Sequence, residues 1–154
     1  SAKGGEGTVH RLWEPTKEKK NPSTPYSAKF SVPYCVAVGF LRGDAGLNEF
    51  NESSIKDSEI LELANKVNYE VDPENEYPKN YTGTLICETE DGTFTEHQAC
   101  FRGGRKQPLT KNDMNKKYEA NLKFSKISEE EKNNLNVFID TIFEKPDFSK
   151  ILIK

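Results

Sequence analysis

The sharpest pattern in the chain is an almost unbroken apolar run, VPYCVAVGFL at residues 32–41, set between polar stretches. Ser31 stands where a helix N-cap belongs, Pro33 falls in the first turn, and Gly43 follows as a C-terminal stop. The run is far short of the roughly 20 residues that cross a bilayer. It therefore predicts a helix buried on most sides, at the centre of the fold.

Farther along, Asp57 or Ser58 opens a second helix, in which Ile60, Leu63, Ala64 and Val67 recur at i, i+3, i+4 and i+7. Val67, Tyr69 and Val71 then alternate as in a strand, which Asp72-Pro73 closes. A polar loop with Tyr77-Pro78 and Tyr81 follows. Asp91-Gly92 separates two strand-like runs, 82–89 and 93–101. Asp-Gly supplies the positive φ angles of a type I′ turn, and that turn predicts a hairpin with Glu88 opposite Thr95 and Gly83 opposite Cys100.

Two further helices carry their start signals openly. Thr110 with Asp113 forms an acidic variant of the capping box, ahead of Met114, Tyr118 and Leu122 on the predicted buried side. Ser128 with Glu131 repeats it before a last helix with Leu135, Phe138, Ile139 and Ile142, which Pro146 ends. Upstream, Pro15, Pro22 and Pro25 exclude a long helix from residues 1–29. Within that segment residues 9–13 (VHRLW) read as a short strand and residues 17–20 (KEKK) as a solvated loop. The order loop, helix, helix, strand, hairpin, helix, helix predicts an α+β domain: an antiparallel hairpin-containing sheet with helices packed on one face.

Composition narrows the class. The length of 154 residues suits one domain. Hydrophobic residues are 34% and charged residues 31%, but nine Phe, six Tyr and one Trp remain to build a core. The net charge of −3 gives no general field for attracting nucleic acid or an anionic membrane. No run is long enough to span a bilayer, and the opening SAKGG lacks a signal-peptide pattern, so a soluble, cytoplasmic protein is expected. The missing initiator Met suggests a cloning scar or a cut from a longer chain.

Cys35, Cys87 and Cys100 form no CxxC pair, and His10 and His97 stand at no metal spacing, so no metal site is expected. In the predicted hairpin Cys87 and Cys100 lie roughly 13 Å apart, too far for a disulfide. Reduced thiols fit a reducing compartment.

Chemistry could sit in two places. The entrance to the apolar helix gathers Lys29, Ser31 and Tyr34, a cation and two hydroxyls, where helix N–H groups favour an anion. The plainer reading, favoured by spacing alone, has Ser31 capping, Tyr34 packing and Lys29 solvated. The second place is Arg102-Gly103-Gly104-Arg105-Lys106, where glycines admit an anion and guanidiniums can clamp carboxylates. Its plainer reading is a basic surface turn. No carboxylate pair or nucleophile–base pair can be assigned by spacing.

The block KFSVPYCVAVGFLRGDAGLNEF at residues 29–50 carries a resemblance. With HRLWEP (10–15), YEVDP (69–73), the Asp-Gly hairpin and RGGRKQPLT (102–110), it resembles the smaller, C-terminal domain of the MmgE/PrpD family. The resemblance covers most of residues 8–124. It implies a lid-like α+β domain over residues 1–127. Residues 128–154 would then start a helical segment belonging to a large helical domain absent from this chain. It further implies a cofactor-independent dehydratase, decarboxylase or epimerase acting on a small di- or tricarboxylic acid. Tyr34 would be the catalytic residue of this domain, and Lys29, Ser31, Arg102 and Arg105 would contact substrate carboxylates. The proton-transfer His and Lys would lie on the large domain, so the chain alone is expected to be inactive. The implied partners are the polycarboxylate, that large domain and a second copy in a homodimer, with no nucleic acid and no membrane. The alternative is a non-catalytic small-acid-binding or protein-interaction module with the same fold.

Overall fold

The structure, a computed structural model, describes residues 1–144 and has the expected α+β architecture. In chain order its elements are β1 (Ala2–Gly4), α1 (Val9–Leu12), α2 (Thr16–Lys20), α3 (Pro25–Ala28), α4 (Val32–Arg42), α5 (Ser58–Lys66), β2 (Tyr69–Val71), β3 (Gly83–Thr89), β4 (Gly92–Gln98), α6 (Lys111–Leu122) and α7 (Glu129–Thr141). They divide into two compact units, Ser1–Leu109 and a second that begins at Thr110. The expected stop at Pro146 lies outside the described residues.

Helix α4 forms over the predicted run with the predicted cap and stop, but it is not buried on most sides along its whole length: its last turn lies in the open, with Phe40 and Leu41 exposed. The Ser31 hydroxyl accepts the Tyr34 N–H at 3.0 Å, and Gly43, at φ 72°, returns its own N–H to the Gly39 carbonyl at 3.0 Å. One face of α4, with Tyr34, Ala37 and Val38, closes a core with Ala28, Ile55, Ile60 and Ala64. The opposite face, with Val32 and Val36, packs on a second cluster of Ala2, Trp13 and Val67. The helix is thus the shared wall of two cores. Asp57 caps α5 through the Glu59 N–H at 3.0 Å and pairs with Arg42 at 2.5 Å, tying the end of α4 to the start of α5.

The sheet has the order β2-β1-β3-β4, with β1 parallel to β2 and antiparallel to β3. Ala2, Tyr69 and Leu85 share the face packed by α1 and α4. The other face is polar, with Lys3 paired to Glu70 at 2.9 Å and Thr84 bonded to His97 Nδ1 at 2.8 Å.

Three local expectations are corrected, and one strand was missed. The hairpin turn is Glu90-Asp91 rather than Asp91-Gly92, so Glu88 faces Thr93 and Gly83 faces Gln98. Neither turn residue takes a positive φ; Gly92, directly after the turn, does, at 132°. The register differs by two residues, which keeps every side chain on its expected face. Residues 9–13 are helical rather than extended, because Val9, Leu12 and Trp13 stand three and four apart and the Trp13 N–H returns to the Val9 carbonyl at 2.9 Å. Residues 17–20 lie in α2, where Lys19 Nζ donates to the Arg11 and Phe30 carbonyls at 2.6 and 2.9 Å. Strand β1 was not foreseen. Three residues give no period, and its partners lie about 65 and 80 residues away in sequence.

In the second unit both predicted capping boxes are present, Thr110 with Asp113 and Ser128 with Glu131. Tyr118 donates to Asn136 Oδ1 at 2.8 Å, joining α6 to α7. Neither helix fully buries a side chain. The expected buried side of α6 is corrected accordingly: Met114 is 53% exposed, and Tyr118 and Leu122 are half-buried. A stripe one residue wide in so polar a helix cannot close a core.

Candidate functional site

The entrance to α4 is built from two consecutive turns. Thr24 and Ser27 form a capping box that starts α3, and Pro25 presets its first turn. The chain then turns through Lys29 and Phe30, with the Ser31 N–H bonded to the Ala28 carbonyl at 3.1 Å. Lys29 ends α3 with its side chain exposed. Ser31 is only 1% exposed, and both its hydrogen-bonding functions are used. Its oxygen accepts the Tyr34 N–H, and its proton goes to the Lys19 carbonyl.

Tyr34 is wholly enclosed. Its ring lies 5.8 Å from that of Phe50, and its hydroxyl donates to the Glu49 carbonyl at 2.7 Å. Burial, with the neighbouring Cys35 and the Asp57 and Glu49 carboxylates adding, pushes the phenol up to about 12 against an opposing effect of Arg42. At neutral pH it is a hydrogen-bond donor and cannot serve as a base. Beside it, burial pushes the Cys35 thiol up to about 11, and the thiol points at the Ala28 carbonyl at 3.7 Å. A protonated, half-buried thiol is a poor nucleophile.

Arg102 and Arg105 lie on another element, the loop that follows β4, and both are exposed. That loop closes on itself. Gly103, at φ 91°, donates to the Gln107 carbonyl at 2.7 Å, and Gln98 Nε2 reaches Gln107 Oε1 at 2.6 Å. A Cβ on Gly104 would stand 2.6 Å from the exposed Phe101 ring, which would have to move aside. The structure therefore brings Lys29, Ser31 and Tyr34 together by sequence proximity and sets the two arginines on the hairpin's far connection.

Sequence reasoning missed a groove of about 340 Å³ between the sheet and the first turns of α4. Leu12, Trp13, Val32, Val36, Tyr69 and Leu85 make its apolar wall. Trp13 stacks on Tyr69 with ring centroids 4.4 Å apart, and the Tyr69 hydroxyl lies 3.0 Å from the carbonyls of both Gly4 and Gly5. Glu96 and Gln98 supply polar groups at the β4 side. The one available signal was the i, i+3, i+4 spacing of Val9, Leu12 and Trp13, hidden by reading that stretch as extended. The groove can hold an apolar surface, and no acid–base pair converges on it.

His97 makes its bond to Thr84 on the polar face of the sheet, and His10 is exposed on α1. Among the described residues no group of three or more His, Cys, Asp or Glu side chains comes together to hold a metal ion. No helix among them is long and apolar enough to cross a membrane.

Comparison with known proteins places these features in a larger context. The family described as MmgE/PrpD C-terminal domain matches residues 6–141. Cis-aconitate decarboxylase from Mus musculus is 31% identical over 105 residues, covering 65% of this chain and 21% of the relative. Cis-aconitate decarboxylase from Homo sapiens is similar to the same extent, 31% over 105 residues. The matched stretch spans about a fifth of the length of these relatives.

Proposed function

The chain belongs to the MmgE/PrpD family, and on that premise we propose that it forms the smaller domain of a cofactor-independent lyase or isomerase acting on a small di- or tricarboxylic acid. The observation that carries this reading is the family match over residues 6–141. The name shared by the two relatives makes cis-aconitate the first substrate to try and decarboxylation the first reaction. 2-Methylcitrate, with loss of water, is the second.

On this reading the chain supplies one wall of a pocket that a large helical domain completes, with α7, from Ser128, opening the return into that domain. Two features support an incomplete site. Abstracting a proton beside a carboxylate needs a base within hydrogen-bond reach of the carbon, and Tyr34, the catalytic candidate, is held protonated by burial. Its part would be to donate, after its hydroxyl leaves the Glu49 carbonyl. Lys29, Ser31, Arg102 and Arg105 are the candidates for carboxylate contact, Lys29 and the arginines from exposed positions. The uncovered apolar groove beside Val32 and Val36 is where a further domain would pack. The proposal extends to a homodimer of the longer polypeptide in the cytoplasm.

One observation favours the alternative, a non-catalytic small-acid-binding or interaction module: the Ser31 and Tyr34 hydroxyls are both committed within the chain. Turnover of cis-aconitate and 2-methylcitrate separates the two readings. It would be measured on the 154-residue chain and on the same chain extended in frame to a start codon. Activity in the extended protein alone, lost in Tyr34→Phe, supports the lyase reading. Turnover by neither protein favours the module.

A further inference from the structure

We infer that the outer edge of β4 pairs antiparallel with β4 of a second copy of this chain, joining two four-stranded sheets edge to edge. The inference names a self-association surface from the geometry of the sheet and does not rest on the lyase reading.

The direction of each backbone group in β4 follows from the bonds on the far side of β3. The Ser1 ammonium donates to the Ile86 carbonyl at 2.7 Å, and the Ile86 N–H donates to the Ser1 carbonyl at 2.8 Å. Ile86 therefore turns its backbone toward β1, while Leu85 and Cys87 turn theirs toward β4. Their partners there are Glu96 and Phe94, so the alternate residues Thr93, Thr95 and His97 aim N–H and C=O away from the sheet. Among the described residues no strand flanks that side of β4.

The two edges of the sheet are built differently. Strand β2 is three residues long, and Asp72-Pro73 stops it. Strand β4 runs for seven residues in one-to-one register with β3, and its sequence GTFTEHQ holds no Pro, Lys or Arg. Short strands, bulges, prolines and lysines are what keep open edges from pairing, and β4 has none of them. All seven of its residues are exposed, Phe94 at 60%.

The side chains favour a second copy as the occupant. Antiparallel self-pairing sets outward residues against outward residues, so near the middle of the strand its dyad falls on Phe94 or on Thr95. A dyad on Thr95 brings the two Glu96 carboxylates into diagonal contact on one face. A dyad on Phe94 opposes the two Phe94 rings and sets each Thr93 against a Thr95. It also places Glu96 opposite Gly92 and the Asp91 carboxylate opposite the His97 imidazole, acid against base. Aromatic, Thr–Thr and acid–base pairs are favourable cross-strand neighbours, so the charges select the Phe94 dyad. One strand edge is a small interface, and a dissociation constant of about 0.1–1 mM is expected.

The test is a dilution series of the 154-residue chain, spanning both sides of that constant, followed by sedimentation velocity and heteronuclear NMR. The expected result is a monomer–dimer equilibrium with concentration-dependent shifts centred on the amides of Thr93, Thr95 and His97. Thr95→Pro removes an outward N–H and leaves the ladder to β3 intact, so it should weaken the dimer at least about tenfold. Thr93→Lys with Thr95→Lys sets like charges directly opposite and should weaken it as much, with no change to the backbone. The exposed pair Asn115→Lys with Asn133→Lys adds the same charge elsewhere and should leave the constant within about twofold. A chain that stays monomeric across the series overturns the inference. So do shifts confined to other surfaces, or edge variants that dimerise as the parent chain does.

Discussion

Helices α4 and α7 announce themselves in the sequence with equal clarity, yet they end in different circumstances. Both start at a serine cap confirmed by a bond of about the same length, Tyr34 N–H to Ser31 at 3.0 Å and Glu131 N–H to Ser128 at 3.2 Å. Helix α4 then encloses Pro33, Tyr34, Ala37 and Val38, while α7 encloses nothing fully. A cap fixes where a helix begins and is local. Burial depends on the width of the apolar face and on what lies opposite. Helix α4 is apolar on two sides and walls two cores, whereas α7 has a single stripe of Leu135, Phe138 and Ile142. The first helix closes two cores within its own unit and leaves only its last turn, with Phe40 and Leu41, exposed. The second presents a face that the proposed large domain would cover.

That contrast sets the scale of the expected effects. Truncation should separate the two regions most. Ile60→Ala, in the core closed by α4, should cost about 2–5 kcal/mol, as cavity formation in an enclosed site does. Leu135→Ala in α7 should cost less than about 1.5 kcal/mol, because a half-buried residue loses less transfer energy and can relax. Urea unfolding of each variant measures both, and equal losses would erase the distinction.

The caps sharpen it. Ser31→Ala removes a cap and also strands the Lys19 carbonyl, so about 2 kcal/mol is expected. Ser128→Ala removes an exposed cap and should cost about 0.5–1 kcal/mol. The same unfolding curves would read it.

A smaller effect tests Tyr34 itself. Tyr34→Phe keeps the ring and loses the bond to the Glu49 carbonyl, for about 1 kcal/mol at neutral pH. The pH dependence has a definite sign. A phenol raised from 10.0 to about 12 contributes stability that is fully present below pH 10 and lost as pH rises through about 12. The Cys35 thiol, raised from 9.0 to about 11, adds a loss that starts near pH 9. Tyr34→Phe should flatten the upper part of that alkaline decline, and an unchanged profile would refute the enclosed-phenol assignment.

Much of this arrangement was legible in the chain, for reasons that name themselves. The limits of α4, α5, α6 and α7 follow from side chains that act within a few residues: Ser31 and Gly43, Asp57, Thr110 with Asp113, Ser128 with Glu131. The elements that escaped are those fixed from afar. Strand β1 exists because Ala2 finds Tyr69 on one side and Leu85 on the other. The hairpin register depended on which residue of the Glu90-Asp91-Gly92 stretch takes the positive φ, and a glycine directly after the turn satisfies that as well as one inside it.

The candidate site divides in the same way. That Ser31 caps was readable from spacing, but that its hydroxyl also holds the Lys19 carbonyl was not, since it required α2 to lie alongside. The chain likewise gave no hint that Tyr34 would spend its hydroxyl on Glu49. The groove at Trp13 and Tyr69 likewise depends on segments more than 50 residues apart meeting at the sheet.

The account's central claim is that the layer around α4 is a finished structure while α6 and α7 are not, and native-state hydrogen exchange on the 154-residue chain tests it most directly. The account predicts that the α4 amides that bond back to the enclosed first turns, such as Cys35 to Ser31, exchange only by global unfolding. The amides of α6 and α7 should exchange at least about a hundredfold faster, through local opening. Equal protection in α4 and α7 would contradict it.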